Sequence, residues 1–134
     1  MSRENVEALR RLFSLVGDGD NAEALYELLH PDVEMIVPEV DLEGGTYVGH
    51  DGVRSYFRRW AGTWEAWHFH PEQIVDAGED RVVVGLYQRS RGKRSGVEVE
   101  NRQGQLWTFR DGLVVRWESF GTFQEALEAV GLRE

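Results

Sequence analysis

The sequence predicts an α+β fold, in which helices from the first half of the chain cover one face of a sheet formed by the second half. In the first half, apolar residues recur at helical spacing. In the second half, the runs 66–77, 81–91, 96–110 and 113–121 have the composition and alternation of strands. Helices and strands segregated in this way are typical of α+β domains. The sheet must curl, because a flat one would leave an exposed edge.

Three helices are predicted before the long strands. The first starts at Ser2, a capping residue, and the second starts at Asp20, which forms a capping box with Glu23. The dipeptide His30-Pro31 ends the second helix, because proline disfavours helical backbone in the preceding residue. The third helix begins near position 51. The apolar stripes of the three helices are Val6, Leu9, Phe13 and Val16; Leu25, Leu28 and Leu29; and Val53, Tyr56, Phe57 and Trp60.

The remaining segments are shorter. DVEMIVP is predicted to be a short strand, and EVDLEGGTYVG a loop. AGED, RGKRSG and RDG are the turns between the four later strands. A last helix should follow the sheet, because Thr122 and Glu125 form a capping-box pattern and Gly131 stands where a C-terminal glycine is favoured.

The composition excludes several kinds of site and partner. The 134 residues suit one domain covering 1–134. The absence of cysteine excludes disulfides and thiolate chemistry. A net charge of −9 argues against binding to nucleic acid or to an anionic membrane. The sequence contains no run that resembles a membrane span or a signal peptide, so we expect a cytoplasmic protein without membrane contact.

The clearest local signal is the hairpin in GQLWTFRDGLVVRWESFG. Asp-Gly between two strand-like runs indicates a two-residue turn, because a type I′ turn needs positive φ at both central residues. Regular pairing outward from this turn at 111–112 would place Trp107 opposite Arg116 and Gln105 opposite Glu118. One face of the hairpin would then combine aromatic rings with an amide, a guanidinium and a carboxylate.

The order of elements resembles the SnoaL-like branch of the nuclear-transport-factor-2-like superfamily. The resemblance covers nearly the whole chain, and its most specific parts are YVGHDGVRSYF and TFRDGLVVRWESFGTFQEALEAVGL. It implies a cone, in which a strongly curved mixed sheet wraps around the N-terminal helices and leaves a pocket at the open end. Polyketide cyclases, steroid isomerases, dehydratases and epoxide hydrolases use that pocket, whereas other members only bind ligands or proteins. Fold alone therefore does not predict the function.

The resemblance implies that the pocket is lined by one face of this hairpin. It is the same face on which the predicted turn places the aromatic and polar side chains. It implies Glu118 as an acid or base, with Gln105 and Arg116 as its polar neighbours; alternatively, Glu118 and Arg116 form a structural ion pair. A chiefly aromatic pocket suits a flat or cyclic organic ligand. The predicted ligand-binding residues are Tyr56, Trp60, Trp67, Phe69, Val84, Leu86, Gln88, Gln103, Trp107 and Phe120.

The opposite face of the hairpin carries Leu106, Val115 and Trp117, and is too apolar to be left in water. The resemblance also implies dimers that form sheet to sheet. We therefore expect a homodimer through the convex face of the sheet, with Tyr87 and Arg89 near the edge of the interface.

Several catalytic groups of the related enzymes are missing. Val37 and Leu12 occupy the positions where the resemblance would place the base and the tyrosine of the steroid isomerases. The epoxide hydrolases use a carboxylate–arginine–carboxylate relay, and Gln105 is not an acid. We therefore propose neither reaction from the sequence.

Histidines are the remaining candidates for metal binding. His68 and His70 form an H-x-H pair, but the resemblance points them away from the pocket and no third ligand is evident. His30 reaches the pocket only if the short strand bends inward. No phosphate loop or dinucleotide fingerprint is present, so we expect no metal and no cofactor.

Three functions remain open at this stage. The first is a cofactor-independent acid/base enzyme of the isomerase, cyclase or hydrolase type, acting on an apolar cyclic substrate. The second is a protein that binds a small molecule without chemistry, and the third is a protein-interaction module. A deep pocket that bears a carboxylate would separate the first two from the third.

Overall fold

The computed structural model describes residues 2–17, 22–38 and 44–132. The helices are α1 (Ser2–Val16), α2 (Glu23–Leu28), α3 (Gly49–Thr63) and α4 (Phe123–Ala129). The strands are β1 (Leu29–Val37), β2 (Gly45–Val48), β3 (Trp64–Gly78), β4 (Arg81–Gly92), β5 (Glu98–Arg110) and β6 (Leu113–Phe120). Within the described residues they form a six-stranded sheet in the order β2-β1-β6-β5-β4-β3.

The sheet is mixed, curved and unclosed. Strands β1 and β6 are parallel, and the other neighbouring strands are antiparallel. Helices α1 and α3 pack against its concave face, where their apolar side chains join those of β4, β5 and β6 in the main core. This arrangement confirms the predicted α+β fold class. No helix in the described ranges is long and apolar enough to cross a membrane.

The four predicted long strands are confirmed within two residues at each end, a usual error for predicted boundaries. The first part of the sheet differs from the prediction. The loop predicted around position 46 contains β2, in which Tyr47 pairs with Met35 of β1. Strand β1 also begins earlier than predicted and includes Pro31. Its pairing with β6 is irregular between Leu29 and Glu34, so proline is tolerated where the ladder is interrupted.

Helix α4 has both predicted caps. The Oγ1 atom of Thr122 accepts a hydrogen bond of 3.0 Å from the backbone N–H of Glu125. At the other end, the N–H of Leu132 donates to the carbonyl of Leu127 at 2.9 Å, and Gly131 has a φ of 79°. This is a Schellman motif, which needs the left-handed backbone that glycine adopts easily. The predicted cap at Asp20 lies outside the described residues.

The β5–β6 hairpin contains the predicted turn but not the predicted register. Positive φ angles of 52° at Asp111 and 81° at Gly112 fit a type I′ turn. The first two pairs follow the prediction, but a bulge then leaves Val115 as an extra residue on β6. Beyond the bulge Trp107 faces Trp117, so the predicted pairing of Trp107 with Arg116 is wrong.

The same shift changes the partner of Gln105. Gln105 pairs with Ser119, and Glu118 pairs with Leu106. The predicted pairing of Gln105 with Glu118 is therefore wrong, since a one-residue slip exchanges the two faces of a strand. The bulge brings Trp117 into the core, where its ring stacks on Trp107 with 4.4 Å between centroids and 18° between planes. Burial of this large ring favours the shifted register over the regular one.

The outer face of the sheet is covered by α4 rather than left apolar. Leu106 and Val83 pack there with Ala126 and Leu127 of the helix. Trp117 was predicted to lie on this face, but it is only 6% exposed and belongs to the main core. The argument for a dimer from an uncovered Leu106 and Trp117 is therefore removed.

Two glycines let α4 approach the sheet. Gly85 and Gly104 are cross-strand partners on β4 and β5. A Cβ atom on Gly104 would collide with the Thr122 carbonyl and lie 2.9 Å from the Cβ of Ala126. A Cβ atom on Gly85 would lie 3.1 Å from the ring of Phe123. The helix thus crosses the sheet where both strands lack side chains.

Candidate functional site

A cavity of about 430 Å³ lies between the helices and the concave face of the sheet. Its wall is mostly aromatic and aliphatic, with a few amide and hydroxyl groups, and it is open on one side. Most of the aromatic lining comes from α3, β3, β5 and β6. The aromatic lining residues are Phe13, Tyr26, Tyr56, Phe57, Trp60, Trp64, Trp67, Phe69, Trp107 and Trp117.

Trp60 of α3 is the centre of one aromatic wall. Its ring centroid lies 5.7 Å from that of Trp64, 6.0 Å from Phe69, and 6.3 Å from both Tyr56 and Trp67. These rings come from α3 and β3, so two elements of regular secondary structure hold the wall in place. Flat aromatic walls of this kind bind planar organic groups through offset-stacked or edge-to-face contacts.

The inner face of β4 and β5 adds a row of neutral polar groups. Gln103 Nε2 donates to Gln88 Oε1 at 2.9 Å, and Gln88 Nε2 donates to Ser90 Oγ at 3.4 Å. These three side chains line the cavity. The row therefore offers hydrogen bonds to a bound molecule without a formal charge.

Gln105 is the most enclosed amide of the site. It is 4% exposed, lines the cavity, and accepts a hydrogen bond of 3.1 Å from Nε1 of Trp107. Burial of an amide costs free energy unless its hydrogen bonds are made. A hydrophobic residue at this position would be buried without that free-energy cost, so the amide indicates a role at the cavity.

Three indole N–H groups of the wall lack a hydrogen-bond partner among the described residues. The Nε1 atoms of Trp60, Trp64 and Trp117 are buried and have no hydrogen-bond partner within the part of the chain that the structure describes. All three tryptophans line the cavity. A buried donor without a partner costs roughly 1–3 kcal/mol. These nitrogens are enclosed by protein atoms, so they are unpaired donors of the wall that do not face the open space of the cavity.

Most of the predicted site residues meet at this cavity. Tyr56, Trp60, Trp67, Phe69, Leu86, Gln88, Gln103, Gln105 and Trp107 line it. Two predicted ligand contacts do not. Val84 is fully buried in the main core, and Phe120 packs under α4 on the other side of the sheet.

Glu118 and Arg116 lie on the outer face, away from the cavity lining. The Nη2 atom of Arg116 is 3.6 Å from Oε1 of Glu118, and half of the arginine side chain is exposed. An ion pair this close to solvent stabilises a protein by at most about 1 kcal/mol. The geometry that motivated a catalytic role for this pair is absent, because the bulge points both side chains outward.

Sequence reasoning missed several lining residues, and the bulge explains two of them. Trp117 and Ser119 face the cavity only because Val115 is the extra residue. Ser90 could have been found by alternation from Gln88. Tyr26 gave no signal in the sequence beyond its place on a helix.

Tyr26 separates the cavity from the exposed surface of the helices. It lines the cavity, and the guanidinium carbon of Arg54 lies 3.9 Å from its ring centroid. Burial raises the pKa of the Tyr26 hydroxyl, and the positive charge of Arg54 opposes that shift. Tyr26 is therefore a neutral side chain at physiological pH.

The histidines do not form a metal centre. Trp67 and Phe69 line the cavity, so alternation places His68 and His70 on the opposite face of β3, with their rings stacked at 6.5 Å. His30 is outside the cavity lining, and its Nδ1 accepts from the N–H of Asp32 at 3.0 Å. In the described ranges, no group of three or more histidine, cysteine or acidic residues could hold a metal ion.

Comparisons with known proteins identify the family. The model of the SnoaL-like domain matches residues 9–117, which is most of the chain. The chain belongs to the SnoaL-like family. No curated protein matches the sequence.

Solved structures agree with this SnoaL-like assignment. TerC, co-crystallised with polyporic acid, is 26% identical, with a TM-score of 0.78 over 95% of this chain and 98% of TerC. An NTF2-like protein from Burkholderia thailandensis E264 is 22% identical, with a TM-score of 0.78 over 89% and 91% of the two chains. A putative SnoaL-like polyketide cyclase from Jannaschia sp. CCS1 is 20% identical, with a TM-score of 0.74 over 88% and 85%. At these last two identities, the similarity shows the fold alone.

Proposed function

We propose that this SnoaL-like protein, with 1–134 as one domain, binds a small, flat and largely apolar organic ligand in the cavity. The observation that carries the proposal is the lining, in which rings from α1, α3 and the inner face of the sheet surround a space of about 430 Å³. A volume of this size lies within the range of small-molecule sites in proteins. A chain under selection for stability alone would fill such a space, because empty core volume is destabilising.

The similarity to TerC supports a ligand of this kind. TerC was crystallised with polyporic acid, and its alignment with this chain covers nearly all of both proteins. The same similarity does not identify the ligand of this chain. The predicted contacts Tyr56, Trp60, Trp67, Phe69 and Trp107 remain our candidates for the apolar part of the ligand, because all of them line the cavity.

A proton-transfer reaction at Glu118 is not part of the proposal. Glu118 is on the outer face, and Glu100 is the one carboxylate of the lining within the described residues. Glu100 is exposed and accepts a hydrogen bond of 3.0 Å from the hydroxyl of Tyr87. A general base must reach the proton that it removes. Binding is therefore the function that this geometry supports, rather than acid/base catalysis by the predicted pair.

Calorimetric titration with fluorene and 9-fluorenone tests the proposal. Both are flat tricyclic compounds, and we expect at least one of them to bind with micromolar affinity. Ser119→Phe places a ring in the cavity and should weaken binding about tenfold or more, because it removes the space for the ligand. Ser14→Phe is the matched control, since Ser14 is exposed on α1. Glu118→Gln should leave the affinity within twofold of the wild type.

Failure of both compounds to bind would reject the proposal. Equal weakening by Ser119→Phe and Ser14→Phe would place the binding site elsewhere. A loss of affinity in Glu118→Gln would restore a role for that carboxylate.

We also propose, because the SnoaL-like resemblance implies sheet-to-sheet dimers, that the protein forms a homodimer through the part of the outer sheet face that α4 leaves open. Tyr87 and Arg89 lie on this part, opposite Arg102 and Glu100 of β5. Sedimentation velocity at micromolar concentration should give a dimer. A monomer at that concentration would reject the dimer but not the ligand site.

A further inference from the structure

We infer that Gln105 selects ligands that present a neutral hydrogen-bond acceptor, such as a ketone oxygen, to the enclosed part of the cavity. This inference rests on the proposed function and adds to it the chemistry of the ligand's polar group. It depends on the direction in which the amide of Gln105 is held.

Trp107 fixes that direction. Its indole N–H can only donate, and it donates to Oε1 of Gln105 at 3.1 Å. Reversal of the amide would bring two donors together, so the Nε2 group must point away from the indole. Trp107 itself cannot turn, because it is 1% exposed, stacks on Trp117, and meets the edge of Phe13 at 6.2 Å.

The Nε2 group of Gln105 has no acceptor in the described part of the protein. The side chain is only 4% exposed and lines the cavity, and its Nε2 is not among the fully enclosed unpaired atoms, so this donor faces the space of the cavity. A ligand that supplies an acceptor there gains a hydrogen bond in an enclosed site.

Gln103 and Gln88 behave differently, although they lie on the same inner face. Their amides bond to each other at 2.9 Å, and both side chains can reverse together without loss of that bond. Neither amide therefore imposes a direction on the ligand. Gln105 differs in this respect from Gln103, which is two residues away on the same strand.

The acceptor should be neutral rather than anionic. Within the described residues, the lining contains no arginine, lysine or histidine, and its one charged residue is Glu100. Burial of a carboxylate without a cation is costly. A carbonyl oxygen accepts from an amide without that cost, so ketones and similar compounds fit this wall better than acids.

Two probes with the same tricyclic frame test the inference. 9-Fluorenone has a carbonyl at the position where fluorene has a methylene group. We expect the wild-type protein to bind fluorenone about tenfold more tightly than fluorene, which is the effect of one enclosed hydrogen bond. Calorimetric titration of each probe measures this preference.

Two variants assign the preference to Gln105. Gln105→Met and Gln105→Leu both remove the donor, and methionine does so with little change in length. In each variant, the affinity for fluorenone should fall to about that for fluorene, while the affinity for fluorene stays within twofold. Gln124→Met, the same change at an exposed glutamine of α4 outside the cavity lining, should keep the wild-type preference.

The inference is overturned if the wild-type protein binds both probes equally, or if Gln105→Met keeps the preference for fluorenone. Both of these results leave the proposed function standing, because binding itself is retained. Binding of neither probe would overturn the inference and the proposed function together. The wild-type comparison needs no variant, so it decides the matter even if both changes at Gln105 prevent folding.

Discussion

The two faces of β5 hold their polar side chains in different ways. On the outer face, Arg102 donates two hydrogen bonds to Glu72, at 2.8 and 3.2 Å, and the two side chains are 68% and 38% exposed. On the inner face, Gln103 and Gln105 are neutral amides beside an empty space. A charged group costs little free energy where water solvates it, whereas a buried amide costs free energy unless its hydrogen bonds are made. The outer charges are therefore stabilised by water, whereas the inner amides are available to a bound molecule, as the proposed function requires.

The largest effect should come from removing the buried side chain of Trp117, compared with removing the exposed side chain of its neighbour Arg116 on β6. Trp117→Ala removes a buried ring that stacks on Trp107, and should lower the free energy of unfolding by about 3–5 kcal/mol. Arg116→Ala, one position away on the outer face, should change it by less than about 0.5 kcal/mol. Urea unfolding followed by circular dichroism measures both. The opposite order of effects would mean that the regular register, without the bulge, holds in solution.

A smaller effect is expected where α4 crosses the sheet. Gly104→Ala forces the helix away from β5, because the new methyl group would meet the Thr122 carbonyl and Ala126. Overpacking of this kind costs about 1–3 kcal/mol. Gly62→Ala is the control, since nothing lies within 4 Å of a Cβ atom there and alanine favours the helix by up to about 1 kcal/mol.

The measurement for Gly104→Ala is the midpoint of thermal unfolding, followed by titration with fluorenone below that temperature. The variant should unfold earlier than the wild type but bind the probe normally, because the clash is on the outer face. Weaker binding by the folded variant would show that the two faces are coupled.

The smallest effect concerns the ion pair on the outer face. The hydrogen bond from Arg102 holds the pKa of Glu72 below its ordinary value. A lowered carboxyl pKa stabilises the folded state above the pKa of the unfolded chain, and this contribution is lost as the pH falls through the folded pKa. Arg102→Gln should return the pKa of Glu72 toward its ordinary value, as seen by carbon NMR titration of the carboxyl group.

Arg110→Gln should leave the titration of Glu72 unchanged, because Arg110 is exposed at the far end of β5. An unaltered pKa in Arg102→Gln would mean that the pair does not persist in solution. Stability near neutral pH should hardly change in either variant, since exposed pairs contribute little.

Much of the fold could be predicted because local signals agree with the final structure. The Asp111-Gly112 turn and the caps of α4 depend on residues within a few positions of one another, and all of them are confirmed. Strand β2 could not be predicted in the same way. It is a strand because Tyr47 pairs with Met35 of the preceding strand, and its own composition resembles a loop.

The site was harder to predict, because a single residue decides it. Alternation correctly grouped Trp67 with Phe69, and Gln103 with Gln105 and Trp107, on faces that meet at the cavity. The extra residue at Val115 then exchanged the faces of β6, so Trp117 and Ser119 replaced Arg116 and Glu118. No local pattern indicates this bulge. Its cause is the packing of Trp117 on Trp107, which only the folded chain brings together.

The parallel pairing of β1 with β6 has a consequence for how the chain folds. It joins Glu34 with Arg116 and Ile36 with Glu118, residues roughly 80 positions apart. Because closing so long a loop costs conformational entropy, we expect this pairing to form late in folding. The β3–β4–β5 meander connects near neighbours and can form earlier. Strand β1 can pair with β2 early, but its other edge stays unpaired until β6 joins the sheet. Trp117 and Ser119 belong to β6, so the lining of the cavity is completed only when β6 pairs with β1 and β5.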